Sequence, residues 1–266
     1  MNPVLSTDQQ PAATEKTYLG LRRFNAVMSF LHFIQGIFMI VISNATTFPI
    51  YTNFLQFNKQ SQSLVPHSTL VYDLRFGPAV AAFLLISAFA HFALATFAHK
   101  WYETNLKRGM NSARFYEYAL SSSLMIVLVG MLVGISDLNT LILLFGINAT
   151  MNLFGIMMEL HNQTTKKTDW TAFVYGCFAG IVPWVVIFIS FYGALNSSDA
   201  KPPAFVYAIV PTIFVFFNIF AVNMFLQYKK MGAWKDYLFG ERAYIVLSLL
   251  AKTALAWQIF AGTLRP

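Results

Sequence analysis

Charge is what this chain has least of. Only 11% of its 266 residues are Asp, Glu, Lys or Arg, against about 25% in a soluble domain. So little charge cannot cover a water-facing surface. This excludes the ordinary soluble classes and points to an integral membrane protein. Cysteine is next. Cys177 is the only one, so an intramolecular disulfide is excluded and the redox compartment stays open. Catalytic signatures are also missing. The sequence has no HExxH, GxSxG or P-loop, so the chain is not expected to be a hydrolase of those kinds or an enzyme at all. No H-x-x-H or cysteine cluster suggests a metal site. A removed signal peptide is not expected. Residues 1–23 are polar, end in Arg22 and Arg23, and hold no short apolar core with a small-residue cleavage site.

What is present is hydrophobic: 57% of residues, with 17% aromatic. A helix needs about 20 mostly apolar residues to cross a bilayer. Asp, Glu, Lys and Arg are absent from 24–58, 76–99, 118–136, 138–158, 170–198 and 202–228, and 243–264 is broken only by Lys252. These runs predict seven spans, at about 24–44, 76–99, 114–136, 138–159, 171–193, 204–228 and 241–264. The expected fold is an all-α membrane protein, a seven-transmembrane-helix bundle. Residues 24–264 form one domain behind a polar N-terminal tail of residues 1–23. The 45–75 loop, rich in Thr, Asn, Gln, Ser and aromatics, has the composition of a small β-hairpin outside the membrane.

Orientation follows from the placement of basic residues. The N-terminus shares a side with the loops near 100–113, 160–169 and 229–240. That side holds eleven basic residues: Lys16, Arg22, Arg23, Lys100, Lys107, Arg108, Lys166, Lys167, Lys229, Lys230 and Lys235. The other side holds four: Lys59, Arg75, Lys201 and Arg265. The N-terminus is expected in the cytoplasm and the C-terminus outside, in a multi-pass protein of the cell membrane. The net charge of +7 then reflects basic cytoplasmic loops, not nucleic-acid binding.

Intramembrane ionisable residues are functional candidates by default. Lys252 lies about mid-membrane in the last span, too deep to snorkel to either surface. Burial disfavours its ammonium form. It is therefore neutral, paired with a carboxylate on a neighbouring helix, or a desolvated amine that forms a Schiff base with a carbonyl compound. Glu117 is the best partner. Arg114, Glu117 and Ser121 are spaced i, i+3, i+7 and share one helix face. Glu117 is either the partner of Lys252 or an interfacial carboxylate satisfied by Arg114. Ser248 lies one turn before Lys252. His32 on the first span, and His91 on the second with Ser87 one turn away, fall at similar depth in the inner half. Together they predict a polar cluster. Asn148, Asn218 and Asn223 are expected to bond between helices. Pro183 is expected to kink the fifth span. Trp184 and Trp257 are candidates to line an apolar pocket. Outward of Lys252 the spans carry no carboxylate, which argues against an ion path across the membrane.

Four segments resemble the heliorhodopsins, retinal-binding seven-helix relatives of the microbial rhodopsins with inverted orientation. They are RFYEYALSSSLMIVLVG (114–130), FGINATMNLFG (145–155), YGCFAGIVPW (175–184) and GERAYIVLSLLAKTALAWQIFAGTL (240–264). The resemblance runs from about residue 20 onward and is weakest in the tail and the 45–75 loop. One departure is Ala119, where family members often carry Ser. The resemblance implies all-trans retinal held as a protonated Schiff base on Lys252, with Glu117 as its counterion and Ser248 beside it. Ser121, Met125, Asn148, Trp184 and Trp257 would fall in or near the pocket. His32, His91, Ser87 and Arg114 would form the inner polar cluster. It also implies a homodimer in membrane lipid and a slow photocycle without pumping. The expected function is light sensing, with output to an unidentified cytoplasmic signalling partner. The alternatives are light-gated or light-driven proton or ion transport, and a non-photochemical protein in which Lys252 is only structural.

Overall fold

In hydrocarbon a backbone must satisfy its own polar groups, so long apolar runs become helices. A computed structural model describes residues 15–197 and 204–264. In chain order it contains α1 (Glu15–Ile42), β1 (Thr47–Asn58), β2 (Ser63–Arg75), α2 (Phe76–Ala95), α3 (His99–Lys107), α4 (Ser112–Leu132), α5 (Leu138–His161), α6 (Thr171–Ser197), α7 (Ala204–Tyr228), a 3₁₀ turn (Gly232–Lys235) and α8 (Tyr237–Ile259), which widens into a π-helical end (Phe260–Leu264). Every α-helix but α3 is long and apolar enough to span a membrane, giving seven spans among the described residues.

Helices α1, α2, α4, α5 and α6 pack in succession, α7 packs on α8, and α8 returns to α1. Between α6 and α7 the contact is aromatic. Trp184 stands edge-on to Phe214 and Phe217, with ring centroids 5.1 and 5.5 Å apart. Pro183 and Pro211 lie inside α6 and α7 without ending them. The outer faces carry exposed Val41, Leu143, Phe178 and Ile189. Such a surface suits lipid and not water. Inside, toward the hairpin end, Phe83, Leu84, Ile126, Leu128, Ile187 and Ile259 are fully buried.

Several spans begin on a side-chain cap. Asp137 accepts from the Thr140 amide (2.9 Å) at α5, and Asp236 from the Leu238 amide (2.9 Å) at α8. Thr140 holds the Asp137 carboxyl below the usual carboxylate range by hydrogen bonding to its ionised form. The predicted hairpin is present, with β1 and β2 antiparallel and Phe54 opposite His67. It docks on the α4–α5 connection. Tyr51 donates its amide to the Ser136 carbonyl (2.9 Å), and Asn53 donates to Asp137 (2.9 Å).

The first span starts earlier than expected. Helix α1 begins at Glu15, not at residue 24, because Tyr18 and Leu21 pack on Leu94, Tyr102 and Leu106. Arg22 donates to the Ala95 carbonyl at the end of α2 (2.8 Å). Likewise α8 begins at Tyr237, ahead of residue 241. Residues 1–14 of the expected tail, together with Lys201 and Arg265, lie outside the described residues.

Gly155 on α5 sits against the Phe115 ring of α4, where a Cβ would overlap the ring edge. Gly155→Ala is expected to cost about 1–3 kcal/mol by overpacking. A lower thermal midpoint of the purified protein checks this, and an unchanged midpoint contradicts so close an approach.

Candidate functional site

Helix α8 places Lys252 in the bundle interior, with 3% of its surface exposed. Its ammonium has three protons, and the structure offers them three oxygens. Nζ lies 3.1 and 3.3 Å from the two Glu117 oxygens and 2.7 Å from Ser248 Oγ. Glu117, on α4, also accepts from the Ser87 hydroxyl of α2 at 2.6 Å. Ser121 is fully buried one turn beyond Glu117, beside the same carboxylate, with no well-formed hydrogen bond of its own. The Tyr118 ring lies under the ammonium, 5.0 Å from Nζ. The charge at mid-bundle is thus met by one carboxylate, one hydroxyl and one aromatic face.

The two histidines do come together. His32 stacks on His91 with centroids 5.6 Å apart and planes 7° from parallel. His91 Nδ1 lies 2.7 Å from Asn25 Oδ1. Neither His32 nitrogen has a hydrogen-bond partner among the described residues. Asn25 was not anticipated. Its signal was an amide on the inner part of α1, two turns before His32.

Arg114 corrects an expectation. It shares a helix face with Glu117 but does not satisfy it. Its guanidinium reaches Glu159 of α5 (2.6 Å) and Glu241 of α8 (2.5 Å), with the Tyr244 ring 3.8 Å away. Asn111 donates its amide N–H to Glu159 (2.7 Å) and its side chain to Glu241 (2.7 Å). Tyr237 and Tyr102 donate to Glu159 and Glu241 at 3.1 and 2.8 Å. All three charged groups are at least 95% buried. Glu241 was legible in principle. It precedes Lys252 by eleven residues, which returns a helix to the same face.

Next to Lys252 lies a cavity, and Met125, Met151, Asn152, Phe217, Phe220 and Ala251 form much of its wall. Met125 and Ser248 both line it. Asn148 stands behind the wall, donating to Ser122 and Ser123 (2.9 and 3.0 Å). Trp184 backs Phe217. Trp257 does not join them. It is 40% exposed, and its indole donates to Gln35 on the outer face (3.2 Å). Asn218 also departs from expectation, bonding the Phe214 carbonyl of its own helix (2.8 Å), whereas Asn223 reaches Gly240 of α8 (3.1 Å).

A pocket walled mainly by apolar side chains, with a few polar groups at one end, has the make-up of a small-molecule site. Its walls are aromatic and thioether, and its reactive end is a lysine nitrogen. The residues fit a long apolar carbonyl compound attached to Lys252. The heliorhodopsin family model matches residues 21–264. The chain belongs to the heliorhodopsin family. Heliorhodopsins are retinal-binding, light-sensing rhodopsins whose chromophore sits on a lysine. With its seven spans, this heliorhodopsin is a multi-pass membrane protein, and the cell membrane is its expected location. No curated protein sequence matches the chain significantly. Among the described residues no group of His, Cys, Asp or Glu is placed to hold a metal ion.

Among the described residues Arg114 is the one cation paired with Glu159 and Glu241. Removing one partner from such a buried network costs about 3–5 kcal/mol. Arg114→Gln is expected to lower the unfolding midpoint well below that of Arg22→Gln, which loses only the bond to Ala95. Equal effects of the two changes would contradict the pairing.

Proposed function

We propose that this heliorhodopsin is a photosensory receptor with a slow photocycle that does not pump ions. It would carry all-trans retinal on Lys252 and work as a homodimer in lipid. Its output would be a conformational change passed to an unidentified partner on the face with the basic loops. The observation that carries this reading is the one-sided placement of the buried charges. Lys252, paired with Glu117, stands beside the apolar cavity. The other buried charges among the described residues, Arg114, Glu159 and Glu241, lie nearer the end where α4 and α8 begin. Toward the hairpin end the core is apolar. A pump needs exchangeable groups on both sides of its centre, and the buried charges here stand on one side.

When bound, retinal supplies a protonated Schiff-base nitrogen whose surroundings change when light alters the shape of the chromophore. The chain's own groups do the rest. Glu117 balances the positive charge, and Ser87 holds that carboxylate in place. Ser248, 2.7 Å from the same nitrogen, is the second oxygen within reach of its single N–H. Met125, Phe217 and Phe220 exclude water from the apolar end. The stacked His32–His91 pair and Asn25 form a polar pocket on the inner side. The charge asymmetry of the loops supports a cytoplasmic position for that side.

The full-length protein supplied with retinal is expected to develop a visible band that recovers slowly after a flash. Lys252→Ala should lose the band. Glu117→Gln should shift it to the red and reduce the protonated fraction at neutral pH, because the negative charge that stabilises the cation is gone. A band that survives Lys252→Ala would refute the attachment site. A light-driven current across membranes that contain the protein would replace sensing with transport. For orientation, Ser61→Cys in a Cys177→Ser background is expected to react with an impermeant thiol reagent outside intact cells. Protection of that thiol would reverse the assignment.

A further inference from the structure

One buried group of charges has no part in holding Lys252. The Arg114–Glu159–Glu241 triad sets two carboxylates against one guanidinium. Each carboxylate receives three hydrogen bonds. Glu159 accepts from Arg114, Tyr237 and the Asn111 amide, and Glu241 accepts from Arg114, Tyr102 and the Asn111 side chain. Donors alone surround them, which is the setting of ionised carboxylates. The triad therefore bears one uncompensated negative charge in a buried place, at a cost that uptake of one proton would remove.

A second observation says where that proton comes from. A small cavity is lined in part by Glu117, Tyr118, His91, Asn25, Arg114 and Glu241. It joins the Lys252–Glu117 pair to the triad, and Glu241 is the one carboxylate of the triad on its wall. The polar side chains on its wall offer partners to ordered water. Beside the cavity, His91 meets Asn25 at 2.7 Å and Tyr102 donates to Glu241 at 2.8 Å.

We propose that Glu241 is the acceptor for the proton that leaves the Lys252 nitrogen in the light, an inference that rests on the retinal reading above. The N–H bond breaks and its electron pair stays on nitrogen. An O–H bond forms from a lone pair of Glu241. The nitrogen goes from positive to neutral, the triad from one net negative charge to none, and Glu117 ends as it began. Arg114 and Glu159 are positioning residues. Tyr102, whose hydroxyl both donates and accepts, turns to take the new O–H. Because Glu241 also ties α8 to α3 and α4, its protonation loosens the joint between those helices on the face with the basic loops.

The test is light-minus-dark infrared difference spectroscopy on the full-length, retinal-loaded protein, with the visible band followed in the same sample. As the visible band gives way to near-ultraviolet absorption, a carboxylic-acid C=O band is expected to appear. Glu241→Gln should lose it, and Tyr102→Phe should shift its frequency without removing it. A band unchanged in Glu241→Gln overturns the assignment. So does its absence while near-ultraviolet absorption grows, or a visible band that never gives way. Each of these leaves the Lys252 reading standing. If Glu241→Gln does not fold, Tyr102→Phe decides, and an unshifted band overturns the assignment. No visible band with added retinal refutes the Lys252 reading and this inference with it.

Discussion

A positive charge at the middle of a membrane-spanning bundle must be met by a negative one, and here one carboxylate does so. The Lys252–Glu117 contact at 3.1 Å sets the terms for its surroundings. Glu117 must come from a neighbouring helix, so α4 and α8 have to present these residues to one another. Ser87 of α2 then fixes the carboxylate from a third helix. An apolar cavity opens beside the nitrogen, so a molecule attached there lies with its polar end at the ion pair and its body among Met125, Phe217 and Phe220.

The polar interior is lopsided. Between the ion pair and the end with basic loops lie the histidine stack, Asn25 and the arginine triad, linked by one cavity. Toward the hairpin the interior is packed Phe, Leu, Ile and Met. A charge that moves in this protein has somewhere to go in one direction only. That asymmetry suits a cycle in which a proton leaves and returns on the same side. It also puts the consequences of light near the helix ends that form one surface of the molecule.

Much of this was legible in the sequence. Charge-free runs located all seven spans because a bilayer penalises any charge that is not placed for a purpose. The same rule misjudged where helices begin, since charge marks the exit from hydrocarbon and not the end of a helix. Helix α1 runs through Arg22 and Arg23 because Arg22 finds the Ala95 carbonyl and Tyr18 and Leu21 find an apolar groove. Short α3 carries too little apolar character to show in a search for spans. Lys252 stood out as the lone charge of 243–264, and Glu117 as a carboxylate on one helix face with Arg114 and Ser121. The partners of Arg114 did not, because Glu159 and Glu241 sit at helix ends where a carboxylate is ordinary; only the fold brings those ends together. Trp257 and Trp184 looked alike in sequence, and one faces outward while the other backs the cavity. With 27 Phe in the chain, composition cannot single out Phe217 and Phe220.

The central claim is that the Lys252 nitrogen carries the chromophore. Borohydride reduction of the retinal-loaded protein, followed by proteolysis and mass spectrometry, tests it without relying on colour. The account predicts a stable retinyl adduct on the peptide that contains Lys252 and on no other lysine peptide. An adduct on a different lysine, or none on a protein that has taken up retinal, would contradict it.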